Sequence, residues 1–220
     1  MFKIEKINGF WVPSTDNQIE QWRTDGTPFM QDRCLKSFIK YCKAQHKKFN
    51  RVLDVGAWCG TWSQAMQEFC KSITAFEPNT VHFDCLQKNL GAFNHITCNR
   101  NAIGNKNCKI SLTDEGATQN TRVKNELGNI PMHTIDYYNY SVVDFIKIDV
   151  EGYEMRVLQG ANKTLTINDE NQSNVKFLMV ELNHNTEKYE SSSLEVKKHI
   201  KSLGFNVLIN IWPDIIYYRT

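Results

Sequence analysis

From residue 51 onward, short apolar runs alternate with stretches patterned as helix, and this alternation constrains the fold more than any other feature of the chain. "RVLDVGA" reads as a buried strand, and "TWSQAMQEFC" as a helix opened by Thr61 or Ser63. "SITAFEP" is the next strand and "TVHFDCLQKNLG" the next helix, closed by Gly91. "HITCNRNAIG" reads as a third strand, "CKISLTD" as an extra one, and the polar Gly/Asn-rich stretch 114–130 as a long loop. "VVDFIKIDV" is a fourth sheet strand, followed by a helix over "YEMRVLQGANKTL". "VKFLMVELN" is the fifth, followed by "SLEVKKHIKSLG", a helix with a glycine stop. "FNVLINIW" and "IIYYRT" flank Pro213-Asp214, a turn dipeptide, and predict a closing hairpin. Strands alternating with helices mean a mostly parallel sheet covered by helices on both faces. The hairpin sets the last strand antiparallel to its neighbour.

The upstream part reads differently. Residues 1 to about 30 are polar and carry the turn signals "NG", "PSTDN" and "DGTP", which predict an irregular extension. "MQDRCLKSFIKYCKAQ" then places Leu35, Phe38, Ile39 and Cys42 on one helical face. The expected organisation is an extension and helix over 1–48, and one globular unit over 49–220.

A chain of 220 residues fits one substantial domain. Its net charge of +2 is too balanced to argue for a polyanionic partner, so no nucleic acid is expected. "KAQHKK" at 43–48 reads as the solvated end of a helix. The seven cysteines (34, 42, 59, 70, 85, 98 and 108) are odd in number and include no C-x-x-C pair. That is neither a disulfide framework nor a zinc pattern, and it predicts free thiols in a reducing, cytoplasmic setting. "MFKIEKINGFW" has no long apolar segment behind its charges, so no signal peptide is expected. No apolar run approaches the roughly 18 residues of a spanning helix. Composition sets no oligomeric state.

In a sheet of this kind a ligand sits outside the carboxyl ends of the strands. The first strand ends in "DVGAWCGTWS", where Gly56 and Gly60 let backbone approach a ligand closely. The second ends at Glu77-Pro78; a carboxylate about twenty residues beyond a glycine turn is suited to a ribose diol. The third ends near Asn101-Ala102, small and polar, as an adenine edge requires. Together these three read as a nucleoside site. Dinucleotide enzymes place a glycine at the middle of this turn so that a pyrophosphate meets bare backbone; here that position is Trp58. S-adenosylmethionine, which has no phosphate, fits better than NAD. An NAD-dependent oxidoreductase and a non-catalytic binding protein remain as alternatives.

"LDVGAWCGTWS", "FEPN", "NAIG", "TIDYY", "VDFIKIDVEGYEMRVLQGA" and "LMVELNHN", in this order, resemble the FkbM family of S-adenosylmethionine-dependent methyltransferases over about residues 50–190. The most specific element is "IKIDVEGYE…VLQGA". The resemblance implies a Rossmann-like class I methyltransferase fold, with a mostly parallel seven-stranded sheet, a C-terminal antiparallel hairpin and helices on both faces. It implies S-adenosylmethionine as cofactor, with Asp54, Gly56, Ala57 and Gly60 in the cofactor loop. Thr61, Trp62 and Ser63 would line the methionine side, Glu77 with Pro78 would hold the ribose, and Asn101 and Ala102 would flank the adenine. Trp58 departs from the family, many members of which carry Asn after "DVGA". The implied acceptor is a hydroxyl on a sugar, glycan or small metabolite.

Chemistry is expected at the fourth and fifth strand ends. Asp149 and Glu151 in "DVEGYE" project toward the cleft mouth, and Glu181 ends the fifth strand just before Asn183 and His184. A hydroxyl acceptor must lose its proton as the new bond forms. His184 is the first choice of base, because its ordinary pKa lies near working pH, and Asp149 the second. Asp149 is also placed to stabilise the cofactor's positive charge. Glu154 reads as a charge favourable at a helix N-terminus. Asp149, Glu151 and Glu181 would suit Mg²⁺, but nothing in the spacing demands it, and no metal is expected. Methylation of a base amino group typically wants a D-P-P-Y-type strand end, and cytosine C5 methylation a cysteine; "DVEG" offers neither.

Overall fold

The computed structural model describes residues 3–14, 33–113, 121–166, 175–183 and 191–220. In chain order the elements are β1 (Ile4–Ile7), β2 (Phe10–Pro13), α1 (Arg33–Ala44), β3 (Phe49–Val55), α2 (Thr61–Met66), β4 (Cys70–Phe76), α3 (Thr80–Leu90) and β5 (Ile96–Asn99). They continue as β6 (Ala102–Ile103), β7 (Cys108–Leu112), β8 (Val123–His133), β9 (Phe145–Ile148), α4 (Glu154–Gln159), α5 (Asn162–Leu165), β10 (Phe177–Glu181), α6 (Ser193–Ser202), β11 (Asn206–Ile211) and β12 (Asp214–Tyr218).

Seven strands form one sheet in the order β11-β12-β10-β9-β3-β4-β5. The pairs from β10 through β5 are parallel, and β12 runs antiparallel to both its neighbours, so the sheet is mixed at one end. Strand alternation sends Leu53, Val55, Ile146, Ile148, Leu178 and Val180 into a core with α4, α5 and α6. Val52, Ile73, Ala75, Phe145, Phe177 and Met179 face the other way, into a core with α1, α2 and α3. Both faces are covered, which is why these strands read as nearly continuous apolar runs. Helix α1 is seated by its aromatic contacts: Phe38 meets Phe145 edge-on at 5.2 Å and Phe177 at 5.7 Å. Helix ends follow local chemistry. Asn79 caps α3 by accepting from the Val81 and His82 N–H groups, and Ser192 with Glu195 forms a capping box on α6.

Four expectations are corrected. The polar N-terminus contains a hairpin, β1–β2, turning at Asn8-Gly9 and docked on α3. Asn89 latches it, accepting from the Trp11 N–H at 2.8 Å and donating to the Trp11 and Cys59 carbonyls. Phe10 and Val12 are buried there against Cys59 and Cys85. The stretch 114–130 is not all loop, because β8 begins at Val123 and pairs antiparallel with β7. Residues 114–120 lie outside the described residues. The third strand is split: β5 stays in the large sheet, while β6 joins β7 and β8 in a separate three-stranded sheet. Finally, the helix after β9 breaks at Gly160-Ala161. There Asp136, from "TIDYY", reaches across and accepts from the Lys163 and Thr164 N–H groups, both at 2.8 Å, so the second piece starts on its own cap.

Candidate active site

The parallel strands aim their carboxyl ends at a cavity of about 390 Å³. Its floor is the turn after β3. Gly56 has φ +80, and a Cβ there would stand 1.7 Å from the Asp149 carbonyl oxygen, so only glycine lets the turn pass beneath the end of β9. The Gly56 and Ala57 N–H groups both donate to the Phe76 carbonyl at 3.0 Å, pinning the turn to the end of β4. Gly56, Ala57, Thr61 and Trp62 line the cavity. Asp54, Gly60 and Ser63 do not; they stand behind the wall, where the Ser63 hydroxyl donates to the fully buried Asp54 carboxylate at 2.6 Å. The Trp62 indole N–H donates to the Met179 sulfur at 3.3 Å, which fixes the ring in that wall.

Glu77 and Pro78 form one side of the cavity. Glu77 does not cap α3, since Asn79 does. Its two oxygens accept from the Trp58 N–H at 2.9 Å and the Asn79 N–H at 2.8 Å. An ionised carboxylate has about four lone-pair sites, so one site per oxygen is left for a ligand. Trp58, at φ +49, turns its indole edge-on to His82 and packs it beside the N-terminal hairpin. Asn101 and Ala102 line the adjoining wall, together with Leu112 and Val123 from the small sheet and Thr121 just ahead of it. The small sheet thus contributes to the lining at this end.

The far end is acidic. Asp149, Glu151 and Glu181 all line the cavity, and their oxygens lie within 4.8 Å of one another. Asn183 bridges two of them, donating to Glu151 at 3.1 Å and Glu181 at 3.4 Å. Asp214 lies opposite Glu181 in the β10–β12 register. Asp149's negative charge, then burial and the hydrogen bond between the two carboxyls, pushes the Glu181 carboxyl well above the ordinary carboxylate range. A divalent cation would suit the same spacing. Glu154 plays another part: buried at 1% exposure, it accepts from the Gly152 N–H at 2.8 Å and shapes the loop in which Glu151 takes φ +56. Burial is the main cause lifting its carboxyl to about 7. The first-choice base, His184, lies outside the described residues.

Two residues enter that sequence reasoning passed over. Lys147 is 5% exposed, and its ammonium donates to the Gly56 carbonyl at 2.6 Å while lying 3.2 Å from Asp54 and 3.3 Å from Asp149. Burial works against its charge, but Asp149 and Asp54 outweigh that and hold its pKa above the ordinary lysine value. A lysine between isoleucines in an otherwise apolar strand was the available signal. His82 also lines the cavity, with Nδ1 3.7 Å from Glu77. Nothing in the sequence distinguished it from any other helix residue.

With this geometry in view, sequence comparison is decisive: residues 53–207 match the family described as the methyltransferase FkbM domain. The chain belongs to the FkbM methyltransferase family. No curated protein matches it. Among solved structures, this FkbM protein resembles precorrin-6Y C5,15-methyltransferase from Geobacter metallireducens at 11% identity and TM-score 0.51, over 88% of this chain and 92% of that one. It resembles the N-methyltransferase NodS from Bradyrhizobium japonicum, solved with S-adenosylhomocysteine, at 11% identity and TM-score 0.51, over 90% and 89%. Precorrin-8W decarboxylase from Methanobacterium thermoautotrophicum gives 16% identity and TM-score 0.50, over 87% and 90%. At such identities the likeness establishes the fold.

Proposed function

We propose that this FkbM protein is an S-adenosylmethionine-dependent O-methyltransferase acting on a hydroxyl of a sugar, glycan or small metabolite. The observation that carries the reading is a single cavity with the remaining acceptor sites of Glu77 at one end and the Asp149, Glu151 and Glu181 carboxyl cluster at the other. When bound, the cofactor supplies a methyl group on an already activated sulfonium. Glu77 would accept the two ribose hydroxyls, and Asn101 with Ala102 would bound the adenine. Gly56 and Ala57 would lie along the nucleoside, and Thr61 and Trp62 would bound the methionine arm. Asp149 faces the acceptor with a negative charge fixed in place by Lys147. The acceptor's proton goes to His184 or, among the described residues, to Asp149. Glu151 and Glu181, joined by Asn183, accept hydrogen bonds from neighbouring hydroxyls of the acceptor and so hold the reacting one in line. Alignment of this kind is worth roughly 7–11 kcal/mol in favourable cases.

The NAD reading has no comparable support, because Trp58 fills the position where a pyrophosphate needs bare backbone. Free thiols, with Cys42 and Cys70 pushed up to about 12 mainly by burial, fit a reducing compartment such as the cytoplasm. No helix among the described residues is long and apolar enough to cross a membrane.

Titration calorimetry with S-adenosylhomocysteine tests the reading. Glu77→Ala is expected to weaken binding by at least about a hundredfold, from two charge-assisted bonds of ~1.5–3 kcal/mol each. Unchanged affinity in a folded variant would show that the ribose lies elsewhere.

A further inference from the structure

A groove lies beside the carboxylate end of the cavity, across the turn between β11 and β12. Arg33, Lys36 and Ser37 of α1 form one wall, and Asn210, Ile211 and Trp212 the other. The groove and the cavity share their partition. Leu35, between the groove residues of α1, faces the cavity, and Pro213 and Asp214, directly after Trp212, line its acidic end. Ile211 and Asp214 are register partners across the hairpin, and the Leu182 N–H donates to the Pro213 carbonyl at 2.9 Å, which ties this turn to the end of β10. Pro213 and Asp214, on the cavity side, thus follow directly on Trp212, on the groove side.

The two compartments differ in charge. Four acids line or flank the inner end: Asp149, Glu151, Glu181 and Asp214. No acid lines the groove among the described residues; Arg33 and Lys36 do, and both are exposed. Lys197 of α6 adds a third cation, its ammonium 5.5 Å from the centre of the Trp212 ring. Trp212 is nevertheless 55% exposed, a large aromatic held at the surface beside polar donors. An exposed indole offers an apolar body for a sugar ring to lie against, and a guanidinium with an ammonium offers charge-assisted donors to an anionic oxygen. The acidic end would repel such an anion.

We infer that this groove is a second acceptor subsite, which takes a pyranose ring bearing a phosphate or carboxylate next to the ring that receives the methyl group. The inference rests on the proposed methyl transfer and names its acceptor class, an anionic saccharide. Trp212 provides the stacking surface, and Arg33 and Lys36 bind the anion.

Protein saturated with S-adenosylhomocysteine is titrated with glucuronic acid, glucose 1-phosphate and neutral methyl glucoside, following tryptophan fluorescence and calorimetric heat. Both anionic sugars are expected to bind at least about tenfold more tightly than methyl glucoside, the effect of one charge-assisted bond. Binding of glucose 1-phosphate alone assigns the anion as phosphate, and binding of glucuronic acid alone as carboxylate. Trp212→Ala and the double variant Arg33→Ala/Lys36→Ala each lose that affinity about tenfold and keep S-adenosylhomocysteine affinity within twofold. Both variants replace exposed side chains, so the fold is retained. Equal binding of neutral and anionic sugars, no saturation at tens of millimolar, or anion binding indifferent to both variants overturns the inference. So does displacement of the sugar by a short oligonucleotide at far lower concentration, which would make the groove a nucleic-acid surface. Failure of S-adenosylhomocysteine itself to bind is read in the same samples and bears on the methyl-transfer reading, separately from the groove.

Discussion

Lys147→Met isolates the cation at the centre of the site. Lys147 sits on the same face of the sheet as Asp54, reaches the Gly56 carbonyl at 2.6 Å, and balances Asp54 at 3.2 Å and Asp149 at 3.3 Å. Asp149 is partly open to solvent, with a side chain 37% exposed, whereas Asp54 has none of its surface exposed. Removing the ammonium leaves the Asp54 carboxylate in the core with the Ser63 hydroxyl at 2.6 Å. Breaking one partner out of a buried ion pair costs about 3–5 kcal/mol, a large part of a total stability of roughly 5–15 kcal/mol. For a domain of this size that corresponds to a fall in Tm of about 6–20 °C. The raised lysine pKa means this stability is fully present below the unfolded value near 10.4 and lost only as pH rises through the folded value, so the loss is expected in full at neutral pH. Adding Asp54→Asn removes the stranded charge, and the double variant is expected to recover half or more of the deficit. Calorimetric unfolding at neutral pH measures all three proteins. A single variant melting within about 3 °C of the parent, or a double variant no better than the single, would refute the idea that Lys147 compensates Asp54.

Glu154→Gln tests the buried acid of the "DVEGYE" loop. With its carboxyl raised to about 7, mainly by burial, the parent is expected to lose stability as pH rises from about 4.5 to 7, where the unfolded chain ionises first. The glutamine keeps an acceptor for the Gly152 N–H, so its melting curve is expected to be flatter with pH and up to about 3 kcal/mol more stable near pH 8; a steeper pH dependence in the variant would contradict this. Gly56→Ala would force a Cβ to 1.7 Å from the Asp149 carbonyl at a positive φ, so S-adenosylhomocysteine binding is expected to disappear even in protein that still folds. Calorimetry showing parental affinity would mean that the turn moves without consequence.

The strand and helix succession of the large sheet was readable because its strands are covered on both faces, so each one announced itself as an apolar run ending in a turn. The same runs located Gly56, Glu77, Asn101 and Asp149, since a strand's carboxyl end can be read from where hydrophobicity stops. What one strand end does for another could not be read there. The β1–β2 hairpin looked like loop because "FWVP" is too short to show periodicity, and its burial comes from Asn89 and Cys85, more than seventy residues away. The strand β8 was hidden in polar sequence because its partner β7 supplies the order, not its own composition. Lys147 appeared only as a charge in a strand, and Ser63 as a pocket residue, until packing turned one toward the loop and the other toward Asp54.

By itself the sequence determined the period of each segment and the residue standing at each strand end, because those depend on neighbours within a few positions. Only the tertiary structure decided which carboxyls crowd together, which cation answers Asp54, and which surfaces adjoin across the β11–β12 turn. Those depend on distances between residues remote in the chain, and electrostatic energy and desolvation change steeply over a few ångströms.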